Sequence, residues 1–217
     1  MIELKNIDCM EYMKELPDKY FDLAIVDPPY FKGAGAEGFY GKKFTKEGTK
    51  KGHYKGIDNW DLNIPDVNYF NELLRVSKNQ IVWGINYYPF AGIGTGRIVW
   101  DKKNDDSTFS NCEIASNSLI DHVKIFRYLW NGMLQENMKN KEVRIHPTQK
   151  PIPLYKWLLT KYAKQGDKIL DTHLGSGSHA IACHDLGFDL VGCELDKDYF
   201  DAACKRLNNH QKQLKIF

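Results

Sequence analysis

The chain has 217 residues, enough for one domain with a full core, and its 42% apolar and 27% charged residues are ordinary for a soluble globular protein. With 30 basic against 28 acidic side chains the net charge is only +2, so no global field announces a nucleic-acid partner and any such surface must come from local clustering. The 5 cysteines are odd in number and contain no Cys-x-x-Cys pair, and neither a basic-then-apolar leader nor a membrane-length apolar run is visible; this argues against a disulfide framework, a cysteine zinc site, secretion and membrane insertion, and makes a reducing cytoplasm the expected setting.

In chain order, Ile2-Glu3-Leu4 reads as a short strand, followed by a helix carrying Met10, Met13 and Leu16, with Asp8 suited to its N-cap. The apolar run Leu23-Ala24-Ile25-Val26 predicts a buried strand that ends at Asp27-Pro28-Pro29-Tyr30. Residues 31–61 lose all periodicity. Here Lys32, Lys42, Lys43, Lys46, Lys50 and Lys51 alternate with glycines and with Phe39, Tyr40, Phe44 and Tyr54, a composition that suits either a basic lid gripping phosphates or a solvated flexible insertion.

Asp66 caps a helix with Val67, Phe70, Leu73 and Leu74 on its buried side, and two strands follow, at Gln80–Trp83 and Arg97–Trp100. His122–Tyr128 alternates as a strand does, and Asn131–Arg144 is polar. Pro153 suits the first turn of a helix with Leu154, Trp157, Leu158 and Tyr162 on one face, ending near Gly166. Lys168–Asp171 reads as a strand, Thr172–Gly177 as a glycine-bearing loop, the segment from Ser178 as a helix, and Leu190–Cys193 as another strand ending at Glu194. The last helix starts near Asp196 and buries Phe200, Ala203, Cys204 and Leu207, leaving Lys205 and Arg206 solvated near its end. Strands alternating with helices predict a single three-layer α/β domain over 1–217, Rossmann-like, with a mostly parallel sheet.

Two of these stretches carry chemistry. In open α/β sheets ligands gather at the carboxyl ends of strands, which is where Asp27 falls. Two prolines fix φ, remove two backbone donors and hold the preceding residue extended, so the Asp27 carboxylate and the Pro28 carbonyl can act together as acceptors for an exocyclic amine. Tyr30 then offers a face on which an extruded base stacks. By itself the tetrapeptide also suits a plain strand end.

The second stretch is the strand, glycine turn and helix around Gly175-Ser176-Gly177. Glu194 lies 19 residues beyond Gly175, close to the roughly 20 expected for an acid that grips ribose hydroxyls. The glycines alone fit a dinucleotide-dependent dehydrogenase equally well; the combination of Asp171, Glu194 and a separate Asp-Pro-Pro-Tyr strand end favours S-adenosylmethionine with an amine acceptor. His173, His179 and His184 share no helical face and have no completing carboxylate or cysteine, so no metal is expected.

Together with His146-Pro147-Thr148-Gln149-Lys150-Pro151, these motifs resemble those of the S-adenosylmethionine-dependent DNA amino-methyltransferases acting on adenine N6 or cytosine N4. Their order, catalytic motif first and cofactor loop last, is that of the β class. The resemblance departs at Asp171-Thr172-His173, where relatives more often have Asp-Pro-Phe, and at Ser178, often threonine. It implies a seven-stranded sheet with one reversed strand and a circularly permuted motif order.

The same resemblance implies catalytic roles for Asp27, Pro28, Pro29 and Tyr30 and cofactor contacts from Asp8, Cys9, His146, Thr148, Lys150, Asp171, Gly175, Ser176, Gly177 and Glu194. The acceptor it implies is duplex DNA, with adenine N6 ahead of cytosine N4 because relatives acting on cytosine more often carry Ser at the place of Asp27. RNA or protein nitrogens, and a non-catalytic cofactor- or DNA-binding protein, are the alternatives. Little room is left for a separate target-recognition region, so target choice falls to the basic loop, to the partner of a homodimer, or to weak sequence preference.

Overall fold

The computed structural model describes residues 1–29, 64–105, 110–131 and 134–213. Tyr30 and the basic stretch with Lys32, Lys42, Lys43, Lys46, Lys50 and Lys51 lie outside the described residues. The elements are β1 (Ile2–Lys5), α1 (Cys9–Lys14), β2 (Phe21–Val26), α2 (Val67–Val76), β3 (Ser77–Trp83), β4 (Gly96–Asp101), β5 (Cys112–Asn117), β6 (Val123–Arg127), β7 (Trp130–Asn131), β8 (Leu134–Gln135), α3 (Ile152–Tyr162), β9 (Lys168–Asp171), α4 (Ser178–Leu186), β10 (Asp189–Cys193) and α5 (Lys197–Gln211).

Eight strands form the main sheet in the order β1-β10-β9-β2-β3-β5-β4-β6, and β7 and β8 pair separately as a small hairpin. All neighbours in the main sheet run parallel except at β5, which is antiparallel to both β3 and β4. The mostly parallel three-layer α/β architecture with one reversed strand is therefore present, but with eight strands rather than seven. The strand that was not read from the sequence is the reversed β5, whereas β6 extends the sheet past β4 and leaves Val123 and Ile125 exposed at the edge.

Alternate residues of each central strand feed two cores, as the period of two requires. Leu23, Ile25, Ile81, Trp83 and Ile169 pack on the side of α3, α4 and α5, whereas Ala24, Val26, Val82 and Leu170 face Met13 of α1 and Tyr69, Phe70 and Leu73 of α2. Helix α3 stops at Tyr162, earlier than Gly166, because Ala163 is already extended at φ −96°, ψ 152°. Its buried residues are Leu154, Tyr155, Leu158 and Leu159, so the inward stripe is rotated away from Trp157 and Tyr162. Among the described residues no helix is long and apolar enough to cross a membrane.

The strand order sets the position of the site. From β9 the chain passes through α4 to β10 on one side, and from β2 through α2 to β3 on the other, so neighbouring β9 and β2 mark the point where the winding reverses. A crevice opens outside the carboxyl ends of strands at such a point. Asp171 ends β9 there, and Asp27 directly follows β2.

Candidate active site

The Asp-Pro-Pro segment is held from outside. The hydroxyl of Tyr88 donates to the Pro29 carbonyl at 2.6 Å and lies 3.3 Å from the Pro28 carbonyl. The Asp27 carboxylate splits its two oxygens. Oδ2 accepts from Lys150 Nζ at 2.5 Å, whereas Oδ1 is buried with no hydrogen-bond partner among the described residues. A buried acceptor without a donor is costly, so it marks a place prepared for a donor.

Lys150 is itself buried between two carboxylates, Asp27 and Glu113, the latter at 2.9 Å; the other oxygen of Glu113 meets Lys102 Nζ at 2.6 Å. Burial, aided by Glu113, pushes the Asp27 carboxyl above the usual carboxylate range against the opposing pull of Lys150. For Glu113 burial acts in the same sense, but Lys150 and Lys102 together hold it below the usual range. Burial disfavours the charge on Lys150, and the two carboxylates outweigh it and raise its pKa. Sequence reasoning missed Glu113 because Cys112–Asn117 has no clear alternation of polar and apolar residues. It missed Tyr88 because nothing local ties that residue to Pro29.

At the neighbouring strand end, Asp171 Oδ1 accepts from the His173 backbone N–H at 3.1 Å and Oδ2 lies 3.0 Å from His179 Nδ1. Tyr155 stacks on the His179 ring at 4.7 Å. Burial opposes the charge on His179, but Cys183 and the Asp171 carboxylate outweigh it and raise the imidazole to about 10. The loop that follows turns through two left-handed glycines, Gly175 at φ 53° and Gly177 at φ 72°. Such backbone favours glycine, and at Gly177 a Cβ would also stand 3.2 Å from Cβ of Ala203 on α5.

Glu194 braces this loop, accepting from Gly175 N–H at 2.8 Å through Oε2 and from Asp196 N–H at 3.0 Å through Oε1. The His146 ring lies 3.8 Å from where a Gly175 Cβ would be, crosses the Tyr199 ring at 4.4 Å, and has Thr148 Oγ1 at 3.2 Å from Nδ1. Asp8 caps α1 by accepting from Met10 N–H at 2.7 Å, with Cys9 beginning that helix.

The expected solvated position of Arg206 is corrected. Its guanidinium is largely buried, bonds Glu142 at 2.7 Å, and donates to the Ser176 carbonyl at 2.9 Å and to Ser178 Oγ at 2.8 Å. It therefore ties α5 to the glycine loop and to the stretch before α3. Helix α5 packs its Arg206 side inward because Ala203 and Gly177 let the two segments approach closely.

These residues suit an adenosine-bearing sulfonium. Glu194 offers an acceptor beside the glycine turn, Gly175 and Gly177 keep the loop backbone open to close approach, and Asp171 anchors the loop start. Among the described residues no group of three His, Cys, Asp or Glu side chains has a metal-holding arrangement.

A family model described as DNA methylase, of the N6/N4 methyltransferase type, matches residues 97–205. The chain belongs to this family. It is 32% identical over 246 aligned positions to the type II methyltransferase M2.LlaDCHI of Lactococcus lactis subsp. cremoris, covering 94% of this chain and 88% of that one. To the type II methyltransferase M2.DpnII of Streptococcus pneumoniae it is 23% identical, with the same coverage of 94% and 88%. In fold it is similar to M1.HpyAVI, solved as a complex with S-adenosylmethionine (SAM), at a TM-score of 0.59 and 20% identity over 95% of this chain and 100% of that one. As a DNA amino-methyltransferase of this family, the chain uses S-adenosylmethionine as methyl donor.

Proposed function

We propose that this DNA methyltransferase modifies the N6 amino group of adenine in duplex DNA, taking the base out of the helix to do so. The observation that carries an amine acceptor is the division of labour at Asp27: Oδ2 is held by Lys150 while Oδ1 is a buried acceptor without a partner among the described residues, and the next residue, Pro28, offers its carbonyl. Adenine comes ahead of cytosine because relatives acting on cytosine more often carry Ser at the place of Asp27. An exocyclic amine brings two N–H donors to match these two acceptors. Held out of the plane of the ring, they return the nitrogen lone pair from the π system, and the carboxylate stabilises the positive charge growing on nitrogen.

S-adenosylmethionine, when bound, supplies an electrophilic methyl group on a cationic sulfur. Glu194, Gly175, Ser176, Gly177 and Asp171 are the residues assigned to holding it, with His146, Thr148 and Lys150 from the neighbouring segment and Asp8 and Cys9 from the start of α1. No strong base is required, because the proton on nitrogen becomes acidic only once the new N–C bond has formed. Tyr30 is assigned to stacking on the base, and Lys32, Lys42, Lys43, Lys46, Lys50 and Lys51 to the phosphates, the counterpart of a basic stretch directly after the catalytic motif. A homodimer, in which one copy helps to choose the target of the other, suits the shortage of sequence for a separate recognition region.

The test is methyl transfer from labelled S-adenosylmethionine to unmethylated duplex DNA, with RNA and protein present as competing acceptors. Label in DNA supports the reading. Label confined to RNA or protein, or cofactor binding with no transfer at all, contradicts it.

A further inference from the structure

We infer that Glu113 is a positioning residue for Asp27: by holding the Lys150 ammonium from its far side, it decides which oxygen of Asp27 is left for the substrate amine. This rests on the role of Asp27 proposed above.

The four side chains form a row of alternating charge. Asp27 Oδ2 meets Lys150 Nζ at 2.5 Å, Lys150 Nζ meets Glu113 Oε2 at 2.9 Å, and Glu113 Oε1 meets Lys102 Nζ at 2.6 Å. The row is neutral as a whole, so each buried ion finds an opposite charge on every bonded side. The Lys150 and Lys102 ammoniums also sit over the Trp83 and Trp100 rings, at 5.4 and 5.2 Å. Pulled from both sides, the Lys150 ammonium takes only one oxygen of Asp27. Held by Asp27 alone, an ammonium with three donors is free to bridge both oxygens, and the acceptor that the amine needs is lost.

The reversed strand makes the arrangement feasible. Because β5 runs against its neighbours, its first residues lie at the same edge as the carboxyl ends of β2 and β4, and Glu113 pairs with Trp100 near the end of β4. The charged and titratable groups around Asp27 are Lys150 from the stretch before α3, Glu113 from β5, Asp171 from β9, Tyr155 from α3, and Tyr88, which holds the Pro29 carbonyl. Of these, Glu113 bonds the Lys150 ammonium that also bonds Asp27.

The experiment compares Glu113→Gln and Glu113→Asp with the wild type in two readouts, the pH profile of kcat and the titration of the Asp27 carboxyl followed by carbon NMR in the protein without DNA. Removing the like charge of Glu113 lowers the Asp27 midpoint, so the acid limb of kcat moves to lower pH by about one unit. Plateau kcat falls about tenfold or more while KM for S-adenosylmethionine holds, and Glu113→Asp recovers part of the loss. In a Lys150→Met background Glu113→Gln lowers plateau kcat little further, since its positioning effect passes through that ammonium. An unmoved Asp27 midpoint overturns the inference, whether turnover is retained or lost; in the latter case Glu113 only packs. The titration needs no acceptor, so failure of the proposed adenine acceptor is read separately, from a wild type that leaves DNA unlabelled.

Discussion

Lys150 Nζ reaches Asp27 Oδ2 at 2.5 Å, bonding the stretch before α3 to the end of β2. The His146–Pro151 segment thus meets the Asp27-Pro28-Pro29 segment directly. Replacing Lys150 with Met removes the cation that holds the Asp27 carboxyl down, so that carboxyl titrates still higher. Protonated Asp27 is a poorer acceptor, and the acid limb of the kcat profile therefore moves to higher pH in Lys150→Met, opposite to the shift expected for Glu113→Gln. Steady-state methylation from acid to neutral pH measures it.

In the proposed function Asp27 serves the acceptor amine and Glu194 the methyl donor. Asp27→Ala is expected to abolish turnover and leave the affinity for S-adenosylmethionine within about twofold. Glu194→Ala removes the acceptor of the Gly175 and Asp196 N–H groups and is expected to weaken S-adenosylmethionine about tenfold or more, each tenfold being about 1.4 kcal/mol. Calorimetric titration of both variants with the cofactor checks the split.

Arg206 and Glu142 are a largely buried pair at 2.7 Å, and the same guanidinium holds the Ser176 carbonyl. Arg206→Ala leaves Glu142 without its cation and is expected to destabilise the fold by about 3 to 5 kcal/mol, as broken buried pairs do. Denaturant unfolding measures this. Cofactor affinity falls with it, because the glycine loop loses its tie to α5.

Burial pushes His146 and His173 down to about 4, against an ordinary value of 6.5. A depressed pKa in the folded state means that the unfolded chain binds the extra protons first as pH falls. Stability from this source is intact above about 6.5 and is lost progressively toward pH 4. In His173→Asn the slope of stability against pH in that window becomes shallower, as thermal unfolding across a pH series would record.

How much of this was legible in sequence follows from the reach of each signal. Asp27, Asp171 and Glu194 each close an apolar run, so the local pattern places them at the carboxyl edge of the sheet, and the left-handed Gly175 and Gly177 mark a turn. Glu113, Tyr88 and Arg206 act through partners far away in the chain. Glu113 reaches the edge only because β5 is reversed, Tyr88 finds Pro29 across the sheet end, and Arg206 is drawn inward by close packing of α5 on Gly177. For Arg206 a position near a helix C-terminus gave the wrong environment, because the helix dipole says nothing about which side of the helix is covered. Strand β6 shows clear alternation and was legible, whereas Cys112–Asn117 has none, so the reversed β5 became visible only through its pairing with β3 and β4.

The central claim, that Asp27 presents an acceptor to an adenine amine, is tested most directly by the identity of the product. Duplex DNA methylated by the wild-type protein is digested to nucleosides and separated. The account predicts N6-methyladenine, absent with Asp27→Ala; N4-methylcytosine as the product, or undiminished N6-methyladenine from the Asp27→Ala variant, would contradict it.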